Sequence, residues 1–346
     1  MQRNFIRAGI LAISISFVAL LAWEIHLRQK DLPISYDDNN ALWAHNRSMV
    51  YEPRDRTTVF IGSSRIKYDL DIPTWQSITG NHAVQLANVG SSPRPVLEDL
   101  ANDEKFSGNL VIDVTEGLFF SDFSPNDALT NAKIAYYHKI TPTQKWSFQV
   151  NHVLESKLMF LDENSFSINA MLDNLHIPRR QGVFQMPLFP VEFHGNSFER
   201  QSFMTPQFLV DSNLQNQVKG VWGFLASLGG PPPPTGDKLQ SILNIVRAQI
   251  DKIKSRGGKV LFVRTPSSGP YRMGELKGFP RAKYWDRILA ATDCPGIYFE
   301  DDPSTAHFTC LEWSHLTPHD AVSYTKSIIK SIRGKGWPLQ DHHAVN

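Results

Sequence analysis

The sequence predicts an α/β fold with a central parallel sheet, preceded by one transmembrane helix. Short apolar, β-prone segments alternate with amphipathic helical patterns early in the chain and again in its last third. The first two predicted strands each end in glycine followed by serine, a pattern typical of strands that present loops at the carboxyl edge of an open sheet. An uncharged apolar run near the amino terminus accounts for the membrane helix.

The amino terminus has the features of a membrane anchor. Arg3 and Arg7 precede an uncharged stretch at 8–23, which Glu24 closes. As a helix this stretch spans about 24 Å, against about 30 Å for a hydrocarbon core. Its second half contains no small-x-small pair for signal peptidase, which favours an uncleaved signal anchor. The positive charges before the run predict a cytoplasmic amino terminus and a periplasmic or otherwise extracytoplasmic domain. A buried helix is the alternative, although the run lacks a polar face.

The next segments follow the anchor in a regular order. Residues 31–56 are polar and turn-rich, which predicts a linker or stalk. The pattern that follows predicts a strand at 57–62, a strand at 83–89, a helix at 93–106 and a strand at 110–114. This alternation is typical of parallel strands joined by helical crossovers.

The middle of the chain is less regular. Residues 119–235 contain one predicted helix, at 144–161, and a segment rich in phenylalanine and proline. We interpret them as an insertion that either contributes to a binding site or only covers the sheet. Regular α/β patterns then resume, with a helix at 238–256, strands at 259–263 and 296–299, and a closing helix at 321–332.

Composition excludes some classes of function. The 346 residues are 41% hydrophobic, enough for a large core, and the net charge of +1 gives no support for nucleic-acid binding. The chain has no G-x-S-x-G, H-E-x-x-H, P-loop or G-x-G-x-x-G motif, and no metal or cofactor is expected.

The two cysteines, Cys294 and Cys310, belong to the part of the chain predicted to be exported. In an oxidising compartment they could form a disulfide that braces the segment before Glu312. Two separate buried thiols are the alternative.

Two distant motifs carry the predicted chemistry. Gly62, Ser63 and Ser64 follow the first strand, and Glu312 and His315 stand three residues apart before the closing helix. A serine nucleophile needs an imidazole to accept its proton and a carboxylate to orient that imidazole. The structural alternatives are a strand-ending turn for the serines and a helix-capping role for the histidine.

This pair of motifs resembles the SGNH/GDSL superfamily of serine hydrolases and acyltransferases. In that comparison Ser64 matches the nucleophile, with Ser63 as the alternative, while His315 matches the base and Glu312 stands where the family usually has aspartate. Gly90 matches the glycine after the second strand. The third family motif, Gly-x-Asn-Asp, is missing, because Thr115-Glu116-Gly117 follows the third strand. The resemblance covers about 57–332 and implies a three-layer α/β/α domain. The Gly-Ser-Ser-Arg variant at 62–65 and the membrane leader resemble the envelope-anchored subgroup of DltD-like, AlgJ-like and AlgX-like proteins.

The resemblance also implies an oxyanion hole. Its donors would be the backbone amides of Ser64 and Gly90, with the Thr115 hydroxyl as a weak substitute for the missing asparagine. Arg65 and Arg264, both at predicted carboxyl edges, would bind an anionic substrate if they are not structural arginines.

The implied function is that of a membrane-anchored, extracytoplasmic serine esterase or O-acyltransferase. It would act through an acyl-enzyme, with an acyl donor and a carbohydrate acceptor in a cell-envelope polysaccharide or glycolipid, and the family implies a membrane-bound O-acyltransferase as a possible partner. The alternative is a catalytically silent scaffold or glycan-binding module. In domain terms, 1–30 is the anchor, 31–56 the linker, and 57–346 the SGNH-like domain with its insertion.

Overall fold

The computed structural model describes residues 2–30, 32–52, 56–121, 126–173, 175, 182, 186–337 and 339. The strands are β1 Thr57–Ile61, β2 His82–Gln85, β3 Asn109–Asp113, β4 Gly195–Asn196, β5 Ser202–Phe203, β6 Lys259–Arg264 and β7 Gly296–Tyr298. The helices before β4 are α1 Gln2–Arg28, α2 Asn40–Ser48, α3 Ser64–Asp69, α4 Ile72–Thr79, α5 Arg94–Asn102, α6 Glu116–Phe119, α7 Asp127–Lys139, α8 Pro142–Glu155 and α9 Ile168–Asp173. Those after β5 are α10 Pro206–Val210, α11 Ser212–Ser227, α12 Gly236–Ser255, α13 Gly269–Gly278, α14 Trp285–Thr292, α15 Pro303–Ala306 and α16 Pro318–Gly334.

Five strands form a parallel sheet in the order β2-β1-β3-β6-β7, which confirms the predicted central parallel sheet. All residues of β1 and β3 are buried, as expected for central strands with two covered faces. Ile61 pairs with Ile112, and Ile112 pairs with Phe262. Because these strands are parallel and in register, the segments that follow them lie side by side at one edge of the sheet.

Two groups of helices accompany the sheet, consistent with a three-layer α/β/α arrangement. α5, α12 and α14 pack together, and α3 and α4 pack against α16. The apolar stripe predicted on α12 is buried along its whole length, at Leu239, Ile242, Leu243, Val246, Ile250 and Ile253. Burial of this stripe explains why a helix with a charged opposite face folds onto the sheet.

The amino-terminal helix is long and apolar enough to cross a membrane. The apolar span runs from Asn4 to Arg28, 25 residues, and no residue in its 18-residue apolar window is buried in the protein. At about 1.5 Å per residue this span reaches about 37 Å, more than the expected 16-residue run provides. Its carboxyl end joins the globular part, because Glu24 accepts a hydrogen bond from the Phe160 amide at 3.2 Å and Arg28 donates to the Lys157 carbonyl at 2.6 Å.

The described residues at 32–52 include a helix, α2, where the sequence predicts a linker. Helix α2 is packed into the globular part: the buried Trp43 donates its indole N–H to the Leu86 carbonyl at 3.1 Å. Arg47, also buried, pairs with Asp99 at 2.7 Å and Asp103 at 2.8 Å. The polar sequence of this segment suggests exposure to water. In the folded chain, however, the charge of Arg47 is paired with carboxylates 52 and 56 positions away.

The predicted insertion, 119–235, contains α7 to α11 and the small β4–β5 ribbon among its described residues. Its predicted helix at 144–161 is α8 followed by a 3₁₀ turn at Met159–Leu161. An apolar cluster of its own, formed by Phe193, Met204, Phe208 and Val218, packs against Tyr68 on α3. The insertion is therefore attached directly to the helix that begins with Ser64.

The two cysteines, both within the described part of the chain, are buried free thiols. The structure thus shows the second of the two alternatives considered for Cys294 and Cys310. Their burial raises the pKa of each thiol, most strongly at Cys310.

Candidate active site

Ser64 is presented by a tight turn between β1 and α3. A side chain at Gly62 would lie 2.6 Å from the Asp113 Cβ atom, so the turn requires glycine. Ser63 is the N-cap residue of α3, and its buried hydroxyl is 2.7 Å from that of Thr115. Ser64, the first residue of the helix, instead lines a pocket that His315 also lines. The turn therefore directs Ser63 into the interior and Ser64 toward the pocket.

A continuous hydrogen-bonded chain joins Ser64, His315 and Glu312. The Ser64 Oγ atom lies 2.9 Å from His315 Nε2, and His315 Nδ1 lies 2.9 Å from Glu312 Oε1. His315 and Glu312 are almost completely buried. With Nδ1–H donated to the carboxylate, Nε2 is the nitrogen available to accept the serine proton.

The Glu312 carboxylate is held from several sides. Oε1 also accepts the backbone amides of His315 at 2.6 Å and Ser314 at 3.3 Å. Oε2 accepts the indole N–H of Trp222 at 2.5 Å. Burial opposes ionisation, but the His315 ring, the Trp222 indole and the His315 amide together lower the pKa of Glu312 below its ordinary value. The carboxylate thus stays charged beside the imidazole.

The turn that carries these two residues has an uncommon backbone. Trp313, between Glu312 and Ser314, has a φ of +79°, in the left-handed region that costs a non-glycine residue about 1 kcal/mol. The Leu316 amide donates to Asp69 Oδ1 at 2.9 Å, which ties the end of this turn to α3. This contact attaches the turn that carries His315 to α3, the helix that begins with Ser64.

Aromatic rings surround His315. The ring of Tyr68 lies 4.4 Å from the imidazole, that of Phe193 5.9 Å and that of Trp222 6.2 Å, measured between centroids. Sequence reasoning did not identify these three residues. The phenylalanine-rich character of the insertion was the one available signal, and Phe193 and Trp222 do come from that insertion.

The expected oxyanion donors have different surroundings. The Ser64 amide, at the first position of α3, has no intrahelical acceptor and is available to a ligand. Gly90 has a φ of +62° in a loop whose preceding residues, Asn88 and Val89, line the pocket. The Thr115 hydroxyl, however, bonds Ser63 at 2.7 Å and Asp113 at 3.3 Å. The Thr115 hydroxyl therefore stabilises the turn that presents Ser64. The sequence predicts instead that it donates to the oxyanion.

Arg65 and Arg264 form buried ion pairs, which is the structural alternative to substrate binding. Both are buried and both bind the carboxylate of Glu275. Arg264 additionally holds Glu116 at 3.0 Å, and the Arg65 guanidinium lies 5.3 Å from the Tyr271 ring centroid. Since these partners enclose them, the two arginines brace the carboxyl edge of the sheet instead of facing a substrate.

The pocket beside Ser64 and His315 has a volume of about 630 Å³. Aromatic and apolar residues form part of its lining, namely Tyr68, Phe189, Phe193, Trp222 and Leu129. Polar and charged residues form another part, including Asp38, Lys67, Asn88 and Lys133. A volume of this size suits a small ligand or the end of a larger one.

Neither a comparison with protein-family models nor a search of curated proteins finds a match for this chain.

Proposed function

We propose that the protein is a membrane-anchored serine esterase or O-acyltransferase of SGNH-like fold. The observation that carries the proposal is the hydrogen-bonded chain from Ser64 through His315 to Glu312, at 2.9 Å for each step. Its placement at the carboxyl edge of a parallel sheet, next to a pocket, supports the same reading.

In the proposed mechanism, His315 Nε2 accepts the proton of the Ser64 hydroxyl while Ser64 Oγ bonds to an ester carbonyl carbon. The carbonyl electrons move to oxygen, and the backbone amides of Ser64 and Gly90 donate to that oxyanion. Collapse breaks the ester C–O bond, and the imidazolium gives its proton to the departing alcohol. An acceptor hydroxyl or water then loses its proton to His315, attacks the acyl-enzyme and releases Ser64. Glu312 stabilises the imidazolium in both halves.

The proposed setting is the outer side of the plasma membrane. Helix α1 supports single-pass anchoring, and the arginines that precede its apolar run favour a cytoplasmic amino terminus. In this setting the substrates would be an acyl donor and a carbohydrate acceptor of the cell envelope, with a membrane-bound O-acyltransferase as a possible donor partner. Tethering favours transfer to a nearby acceptor over release of a free product.

Labelling with a fluorophosphonate probe tests the proposal, because the probe reacts with an activated serine. We expect the full-length protein in detergent to be labelled, Ser64→Ala to lose labelling completely, and Ser63→Ala to retain it. Ser63→Ala also removes a helix cap, so its folding is checked by circular dichroism. If the folded wild-type protein is not labelled, the catalytic proposal fails and the silent scaffold or glycan-binding module replaces it.

A further inference from the structure

A cluster of buried charges lies beside the pocket, and three of its members, Asp38, Lys67 and Lys133, line it. Lys67 Nζ lies 2.7 Å from Asp38 Oδ2, Lys133 Nζ lies 3.2 Å from the same oxygen, and Arg200 Nε lies 2.6 Å from Asp38 Oδ1. Within the part of the chain that the structure describes, three cationic side chains thus meet one carboxylate. The cluster has a surplus of positive charge in a place largely removed from water.

The cluster is close to the candidate active site both in the sequence and in the folded structure. Lys67 lies one turn after Ser64 on α3, and Lys67 and Lys133 line the same pocket as Ser64 and His315. Lys133 retains slight exposure, 12% of its side chain, so it is the cation nearest to an entering ligand.

Asn88 adds a second, independent observation. Its Oδ1 atom accepts from Arg200 at 3.0 Å and from Lys133 at 3.2 Å, which directs the amide nitrogen away from the cations. Among the described residues that nitrogen, although Asn88 is 96% buried, has no hydrogen-bond partner. A buried donor without an acceptor is costly, and Asn88 belongs to the lining of the pocket, so the polar contacts in this part of the lining are incomplete.

We propose that the pocket beside Ser64 binds an anionic oxygen group, a carboxylate or a phosphate, through Lys133. The surplus charge of the cluster supplies the attraction. The inference deepens the proposed function and rests on it, because the anion would belong to the substrate whose ester faces Ser64. The aromatic residues of the lining are left for an apolar or sugar-ring face.

Binding to the Ser64→Ala protein separates this inference from catalysis. We expect methyl glucuronide and glycerol phosphate to bind at least roughly tenfold more tightly than the uncharged methyl glucoside and glycerol, measured by ligand-observed NMR titration. The charged ligand with the higher affinity identifies the group as carboxylate or phosphate. Lys133→Met should remove the difference and Lys133→Arg should largely restore it. Lys139→Met, on the exposed end of the same helix, is the matched control and should leave the difference intact.

Equal affinity for charged and uncharged ligands, or absence of saturable binding, overturns the inference. So does an unchanged difference in Lys133→Met. These outcomes do not depend on the labelling of Ser64. If Ser64 is labelled but charged ligands are not preferred, only the anion subsite is ruled out. If charged ligands are preferred but the wild-type protein is not labelled, only the catalytic proposal is ruled out.

The same titration has a predicted pH dependence. Burial, followed by the charges of Arg200 and Lys67, lowers the pKa of Lys133 to about 7, against the opposing effect of Asp38. Burial and Arg200 lower the pKa of Lys67 to about 8, again against Asp38. As pH rises through these values the lysines lose charge, so the preference for the charged ligands should fall between about pH 6 and pH 9. A preference that is flat across this range contradicts the assignment to the lysines.

A different surface supports a second inference. Four apolar side chains on α8 face solvent, with exposed fractions of 74% for Trp146, 61% for Val150, 53% for Val153 and 45% for Leu154. Their spacing of four, three and one residues places them on one side of the helix. Phe148, on the opposite side, packs against the rings of His45 and Phe198.

This stripe lies next to the point where the membrane helix joins the globular part. α8 ends at Glu155, and Arg28 at the end of α1 binds the Lys157 carbonyl two residues later. Three further apolar side chains in and just after α9 are also exposed, namely Met171, Leu172 and Leu175. Continuity with α1 identifies the lipid surface as the occupant of the stripe. We infer that α8 lies in the membrane interface with Trp146 and Val150 toward lipid.

An environment-sensitive NBD label tests the second inference on the full chain in phospholipid nanodiscs. We expect NBD at Val150→Cys to show blue-shifted emission and quenching by doxyl lipids. Ile245→Cys, an apolar position of 50% exposure on α12, is the matched control and should show neither. The wild-type protein provides the blank, because its two cysteines are buried. Identical emission and quenching at both positions would rule out lipid contact and leave a protein partner as the occupant.

Discussion

Glu312→Gln is expected to lower kcat for p-nitrophenyl acetate by about 10³- to 10⁴-fold, with a much smaller effect on KM. Glu312 Oε1 accepts three N–H groups, two of them from His315, and Oε2 accepts the Trp222 indole. A glutamine has one oxygen and one NH₂ group, so in either orientation an NH₂ group faces an N–H donor. The variant also lacks the negative charge that stabilises the imidazolium.

Two milder variants show whether charge or position matters more. Glu312→Asp keeps the charge but shortens the side chain by one methylene, and we expect a loss of about 10- to 100-fold. Trp222→Phe keeps a ring beside His315 but removes one of the hydrogen bonds that lower the pKa of Glu312. The pKa of the Glu312 carboxyl should then rise, so a smaller fraction of the variant carries the charged carboxylate at acidic pH, and its kcat relative to wild type should fall as the pH is lowered.

The expected order of kcat is wild type, then Glu312→Asp, then Glu312→Gln. Circular dichroism in detergent verifies that each variant is folded. If Glu312→Gln retains wild-type kcat while Ser64→Ala is inactive, the carboxylate has no role in the reaction. The structure would then need a different group to orient His315.

The elements that the sequence predicts best are those specified by local pattern. The strands β1, β3 and β6 have largely apolar, β-prone sequences. Each end of each strand lies within one residue of the predicted bound. The proximity of Ser64 and His315 follows from topology, because both come after strands or before a helix at one edge of a parallel sheet. The sequence predicts a strand to residue 89, but β2 ends at Gln85, and the segment that follows it carries Asn88.

What the sequence could not predict are charges that pair over long distances. Asp38 looks like part of a polar stalk, yet it meets Lys67, Lys133 and Arg200, which come from three other segments. In sequence, Arg65 and Arg264 are cations at a predicted substrate edge, but in the structure both pair with a carboxylate from α13. Local patterns record that a residue is charged, but the partner of that charge depends on the folded chain.

The second large effect concerns stability. Glu275→Gln should lower the free energy of unfolding by about 3 to 5 kcal/mol, because it leaves the buried guanidinium groups of Arg65 and Arg264 without their shared carboxylate. The Ser267 hydroxyl, 2.7 Å from the same carboxylate, loses its acceptor as well. Urea unfolding in detergent micelles measures the change. Glu300→Gln is the matched control: Glu300 also binds an arginine, Arg272 at 2.7 Å, but it is 42% exposed, and we expect less than about 1 kcal/mol.

The same carboxylate predicts how stability depends on pH. Burial opposes its ionisation, but Arg65 and Arg264 outweigh burial and lower the pKa of Glu275 to about 2 from an ordinary 4.5. A carboxyl whose pKa is lower in the folded state stabilises the fold above its unfolded pKa and loses that contribution as pH falls through the folded value. The contribution of about 3 kcal/mol should therefore disappear between about pH 4.5 and pH 2 in the wild type, and this part of the acid dependence should be missing in Glu275→Gln. Parallel acid-unfolding curves for the two proteins would contradict the assignment. Since Arg65 directly follows Ser64, loss of this carboxylate should also loosen the turn that presents the nucleophile, so fluorophosphonate labelling should slow at acidic pH before the protein unfolds.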